Sequence, residues 1–89
     1  MDRQEKIIAD AAIATPKANR FERIQEEVAL TTGIAKAEVT QTVNRLVNEM
    51  ILRQRVTPAR DVAENPHVPG ESREITWAWY EKGELWKDG

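Results

Sequence analysis

Thr31-Thr32-Gly33-Ile34 separates two segments, Ile24-Gln25-Glu26-Glu27-Val28-Ala29 before it and Val39-Thr40-Gln41-Thr42-Val43-Asn44-Arg45-Leu46 after it. On the near side Phe21, Ile24 and Val28 recur at spacings of three and four, which predicts an amphipathic helix over 20–31. On the far side Val39, Val43, Leu46 and Met50 run at spacings of four, three and four, marking the core-facing stripe of a third helix. The opposite stripe of that helix is Ala37, Gln41, Asn44 and Asn48, flanked by Arg45. Gly33 supplies the break, because glycine takes the left-handed backbone at a helix end without a side-chain clash.

Upstream, Asp2 with Glu5 three residues later resembles a capping box, and Asp2–Ala14 is rich in helix formers that Pro16 brings to an end. Asn19 with Glu22 is the same signature ahead of the second helix. Beyond Ile51-Leu52 the pattern changes period. Arg53-Gln54-Arg55-Val56-Thr57 alternates, and Arg73–Tyr80 alternates again with Ile75, Trp77 and Trp79 on one face. Between them lie about sixteen residues holding Pro58, Pro66, Pro69 and Gly70, read as a long loop over Pro58–Ser72. The expected fold class is therefore mainly α with a small β-hairpin, a three-helix winged helix-turn-helix. One domain spans 1–89: helix 2–14, helix-turn-helix 20–51, wing 52–80 and a short tail 81–89. The expected core is Phe21, Ile24, Val28, Ile34, Val39, Val43, Leu46, Leu52, Ile75 and Trp77, with Trp79 beside them. Trp86 is expected to be exposed and open to a protein partner.

Composition narrows the function. With 89 residues there is room for one modest core. The absence of cysteine excludes disulfide frameworks, thiolate zinc sites and cysteine nucleophiles. No apolar run approaches a membrane span and the start lacks a signal-peptide core, so the expected compartment is the cytoplasm. One serine (Ser72) and one histidine (His67) sit five residues apart in the loop, with no rigid element to make them nucleophile and base. Glu22, Glu26 and Glu27 read as a solvated helix face rather than metal ligands. No glycine-rich phosphate loop is present. The expectation is a protein that is not an enzyme, with no metal, no cofactor and no small-molecule ligand.

The net charge of −2 argues against a protein that coats nucleic acid indiscriminately. Its distribution is uneven, however. Over 36–60, Lys36, Arg45, Arg53, Arg55 and Arg60 face only Glu38 and Glu49, whereas every other part of the chain is net acidic. A positive field confined to the middle of the chain is what one anion-facing surface would give.

The segments 24–29, 32–34 and 39–46 together resemble the helix-turn-helix of winged-helix repressors of the MarR-like and DtxR-like groups, over roughly residues 20–80. Met50-Ile51-Leu52-Arg53 stands where those groups place a glycine and a hydrophobic residue leading into the wing. A shorter likeness, Val28–Lys36 to the first helix turn of histone-like HU proteins, conflicts with the acidic loop residues Asp61, Glu64 and Glu71. The winged-helix resemblance implies sequence-specific binding of double-stranded DNA, by a small transcriptional regulator of phage, plasmid or mobile-element type, as a homodimer.

The residue chemistry is compatible with that role. Gln41 and Asn44 each match the paired donor and acceptor of adenine, Arg45 matches guanine or a phosphate, and Ala37 and Thr40 are small enough to meet a thymine methyl. Lys36 suits a phosphate near the helix start, and Arg53, Arg55 and Arg60 suit the backbone or minor groove. The alternative reading is a winged-helix module that binds protein without DNA, which the overall acidity favours.

Overall fold

The computed structural model describes residues 1–57, 61–64 and 72–87, with 61–64 and 72–75 defined through their strand pairing. Three helices, α1 (Arg3–Ala14), α2 (Phe21–Thr32) and α3 (Lys36–Asn48), precede four strands, β1 (Leu52–Val56), β2 (Asp61–Glu64), β3 (Ser72–Ile75) and β4 (Ala78–Lys82). The layout is that of a three-helix winged helix with a β-hairpin.

Helix α1 starts as expected: the Asp2 carboxylate accepts the Glu5 backbone N–H at 2.8 Å. It buries Ile8, Ala9 and Ala12, a face hard to single out in a helix that also carries Ile7, Ala11, Ile13 and Ala14. Helix α2 begins one residue later than expected, and Asn19 is not its cap. Arg20 holds that position in extended conformation with no side-chain bond. The cause lies just upstream, where Ala18 exchanges two backbone bonds with Ala78, of 3.0 and 2.7 Å. That bridge keeps the incoming chain extended. At the other end Gly33 adopts φ 75°, with its N–H on the Ala29 carbonyl at 2.9 Å.

The exit of α3 explains the missing glycine. Ile51 N–H reaches the Leu46 carbonyl at 2.9 Å and Met50 N–H reaches the Val47 carbonyl at 3.1 Å, the paired bonds of a Schellman ending. Met50 takes the left-handed position itself, at φ 63°. The C-terminal segment closes over this turn through Leu85 N–H to Met50 O and Gly83 N–H to Ile51 O, both 2.9 Å.

Strand β1 pairs antiparallel with β4, from Leu52↔Lys82 to Val56↔Ala78, and β2 pairs with β3, from Asp61↔Ile75 to Glu64↔Ser72. The expected patternless loop thus contains a strand: two acids and one strong strand former in Asp61–Glu64 hid a segment whose pairing follows from hairpin continuity. Between the ladders, Trp77 N–H donates to the Thr57 hydroxyl at 3.1 Å while Thr57 N–H donates to the Trp77 carbonyl at 2.9 Å.

This interruption overturns the expected sheet face. Trp77 lies outside the strands and is half-buried, and Trp79 is paired opposite Arg55 on the outer face. Ala78 and Tyr80 point to the core instead. Alternation has period two, so a shift of one residue exchanges the faces. Tyr80 is the better inward residue because its polar tip finds a partner. Gln25 Nε2 donates to the Tyr80 hydroxyl at 3.0 Å, and Phe21 packs on its ring at 5.1 Å between centroids.

The core combines Ile8, Ala9 and Ala12 with Ile24, Val28, Val39, Val43, Leu46, Leu52 and Tyr80. Of the expected members, Phe21 and Ile34 pack against it half-buried, and the side chain of Ile75 lies outside the described residues. Trp86 is also corrected: it is half-buried against this core, with Lys6 Nζ of its own α1 at 4.2 Å from the ring.

Candidate nucleic-acid interface

Packing fixes which side of α3 faces out. Val39, Val43 and Leu46 are fully buried, so Ala37, Gln41, Asn44, Arg45 and Asn48 form the exposed stripe. The helix is held in place by a polar pin as well as by apolar contact. Gln25 of α2 is buried and satisfied at both ends, donating to Tyr80 and accepting the Thr40 hydroxyl at 2.9 Å. One amide thereby ties α2, α3 and β4 together. Thr40 is half-buried and holds this bond, unlike the exposed Ala37 with which it shares the thymine-methyl expectation.

The cations share one feature that the sequence did not reveal. Lys36 Nζ lies 3.2 Å from Glu26 Oε1, and Arg45 Nη2 lies 2.7 Å from Glu5 Oε1. Arg53 and Arg55 both approach Glu81 Oε1, at 3.8 and 3.6 Å. Each of these four candidates is paired with a carboxylate of the same chain, while Arg60 and His67 lie outside the described residues. The pairs of Lys36 with Glu26 and of Arg53 and Arg55 with Glu81 are exposed on both sides and worth about 0–1 kcal/mol each, so a competing phosphate can displace them. Their effect is on the field: the local positive excess counted along the chain is offset in space.

Glu5 illustrates why these partners were missed. A capping box reads it as a helix cap, yet its carboxylate reaches across to α3, forty residues on. Arg53 and Glu81 are cross-strand neighbours, visible only once the register is set. The signal existed only in the tertiary structure.

Between the first turn of α1 and α3 runs a cleft of about 300 Å³, lined by Asp2, Glu5, Glu38, Gln41, Thr42 and Arg45. The Asp2 carboxyl is held below the ordinary carboxylate range, chiefly by the Glu5 backbone N–H and to a lesser degree by the charge of Arg45. This flank of the stripe is acidic apart from Arg45. On the outer sheet face Lys17 Nζ sits 4.8 Å from the Trp79 ring, beside Arg55 in the register. A separate hollow of about 710 Å³ beside the turn is lined by Ala29, Leu30, Gly33 and Ile34, with Leu30 80% exposed.

Among the described residues no group of three His, Cys, Asp or Glu side chains is placed to hold a metal ion, and no helix is long and apolar enough to cross a membrane. Gln41, Asn44 and Arg45 are thus brought onto one exposed helix face; Arg53 and Arg55 lie together on β1. No family model, curated protein or solved structure matches the chain.

Proposed function

We propose that this chain is a sequence-specific double-stranded DNA-binding protein, a small transcriptional regulator of the phage, plasmid or mobile-element type. Helix α3 enters the major groove and reads base edges with Gln41, Asn44 and Arg45. Ala37 permits close approach, and Lys36, Arg53, Arg55 and Arg60 hold phosphates. The protein works in the cytoplasm as a homodimer, without cofactor and without catalysis. The observation that carries this reading is the exposed amide stripe on α3, since paired donors and acceptors on a rigid helix are the chemistry that base edges require. Selection of bound sites from a random duplex pool tests it: one enriched motif, with two-fold symmetry, is expected, and no enrichment at any salt refutes it.

Two observations favour a protein-binding module instead. The four described candidate cations are paired with acids, and Leu30 stands exposed beside an apolar hollow. On that reading no motif is enriched, and substitution of Leu30 rather than Gln41 abolishes the interaction.

A further inference from the structure

The one cation on the base-reading stripe is held from behind. Arg45 Nη2 meets Glu5 Oε1 at 2.7 Å. The Glu5 side chain is only 20% exposed whereas that of Arg45 is 52% exposed. Glu5 itself is fixed twice. Its backbone N–H is bound by Asp2 at 2.8 Å, and its helix is anchored through the fully buried Ile8, Ala9 and Ala12. An arginine is flexible over its whole stem, and one carboxylate contact on a rigid neighbour removes much of that freedom in advance.

We infer that Glu5 is a positioning residue that makes Arg45 a reader of guanine rather than a holder of phosphate; the inference rests on the DNA-binding reading above. A guanidinium carries five N–H donors, and the Nη2 contact to Glu5 leaves others for the two acceptors of a guanine edge. The surroundings set the choice of target. Asp2, Glu5 and Glu38 line the same cleft as Arg45, so an incoming phosphate meets several like charges there. A neutral base edge does not. Gln41, one turn earlier on the stripe and lining the same cleft, places the adjacent base contact.

The experiment measures sequence preference position by position for the parent and for Glu5→Gln, Glu5→Asp and Arg45→Ala, with unfolding followed by circular dichroism. In the parent a guanine position is expected, and Arg45→Ala erases that preference alone, about tenfold or more. Glu5→Gln keeps the shape and loses the charge. It is expected to reduce the same preference roughly fivefold, while affinity for unrelated duplex rises about twofold as a repelling charge is removed. Glu5→Asp keeps the charge but is one methylene too short to reach. It is expected to relax the same position without the rise in non-specific affinity. A merely structural role for Glu5 would lower the unfolding midpoint and leave the preferred base unchanged. The inference is overturned if both Glu5 variants keep the parental preference while Arg45→Ala loses it, or if Arg45→Ala leaves the motif intact. If the parent enriches no motif, the DNA-binding reading itself has failed, and this inference with it.

Discussion

Gly83 and Gly33 give a test of the fold in which the obvious glycine is the less important one. Gly33 sits in the helix-turn-helix with φ 75°, yet a Cβ added there meets no atom within 4 Å. Gly33→Ala therefore costs only the left-handed backbone penalty, about 1–2 kcal/mol. At Gly83 the added Cβ falls on the Met50 carbonyl oxygen and comes within 2.8 Å of the Met50 carbonyl carbon and 2.9 Å of that of Ile51. These are backbone atoms and have no rotamer in which to escape. Relief means lifting the C-terminal segment off the α3 exit, which strains the two 2.9 Å bonds that Gly83 and Leu85 N–H make to Ile51 and Met50. Overpacking of about 1–3 kcal/mol and two weakened bonds at about 0.5–1.5 kcal/mol each sum to about 2–6 kcal/mol. In a domain of this size each kcal/mol moves the midpoint by about 4–8 °C, so Gly83→Ala should melt at least about 8 °C below the parent. Thermal and urea unfolding followed by circular dichroism measure both variants. If Gly83→Ala is no more destabilised than Gly33→Ala, the C-terminal segment does not pack on the turn as described.

Three further outcomes follow from the same packing. Leu46→Ala, which truncates a fully buried side chain at the centre of the core, is expected to cost about 2–5 kcal/mol in urea unfolding; a variant as stable as the parent would mean that the wrong face of α3 had been assigned to the core. Met50→Gly is expected to be at least as stable as the parent, by about 0.5–1 kcal/mol, because glycine holds the φ 63° position without penalty; a clear loss of stability would refute the Schellman exit. Tyr80→Phe leaves the buried Gln25 amide N–H without its acceptor and is expected to cost about 1–3 kcal/mol, and a neutral result would place Gln25 elsewhere.

The parts of the fold legible in the sequence are those whose signal is local. The α2–turn–α3 unit could be read because apolar spacing and one glycine determine it within a few turns of chain. Val39, Val43 and Leu46 are buried as their period demands. The sheet was read one residue out of phase because Trp77 and Trp79 carry more apolar surface than Ala78 and Tyr80. What decides the face is the interruption at Thr57 and Trp77 and the partner waiting for the Tyr80 hydroxyl. Met50 at a left-handed position gives no sequence signal at all, since that position favours glycine. The candidate site divides in the same way. The exposure of Gln41, Asn44 and Arg45 follows from helix periodicity, whereas the pairing of Arg45 with Glu5 and of Arg53 and Arg55 with Glu81 depends on register and helix docking. Counting charge along the chain found the cations and missed their neighbours.

In the DNA-binding reading the exposed stripe of α3 contacts bases while the β1 arginines hold backbone. The affinities of the parent, Gln41→Ala and Arg55→Ala for the selected site and for an unrelated duplex, measured across a salt series, separate the two roles. Gln41→Ala is expected to lose about 1–3 kcal/mol on the selected site only, relaxing preference at one or two base positions and leaving the salt slope unchanged. Arg55→Ala is expected to weaken both duplexes alike and to flatten the slope of log affinity against log salt by about 0.9. If the two variants weaken both duplexes equally, with no change in base preference from either, α3 is not the reading element and the protein-binding reading replaces this one.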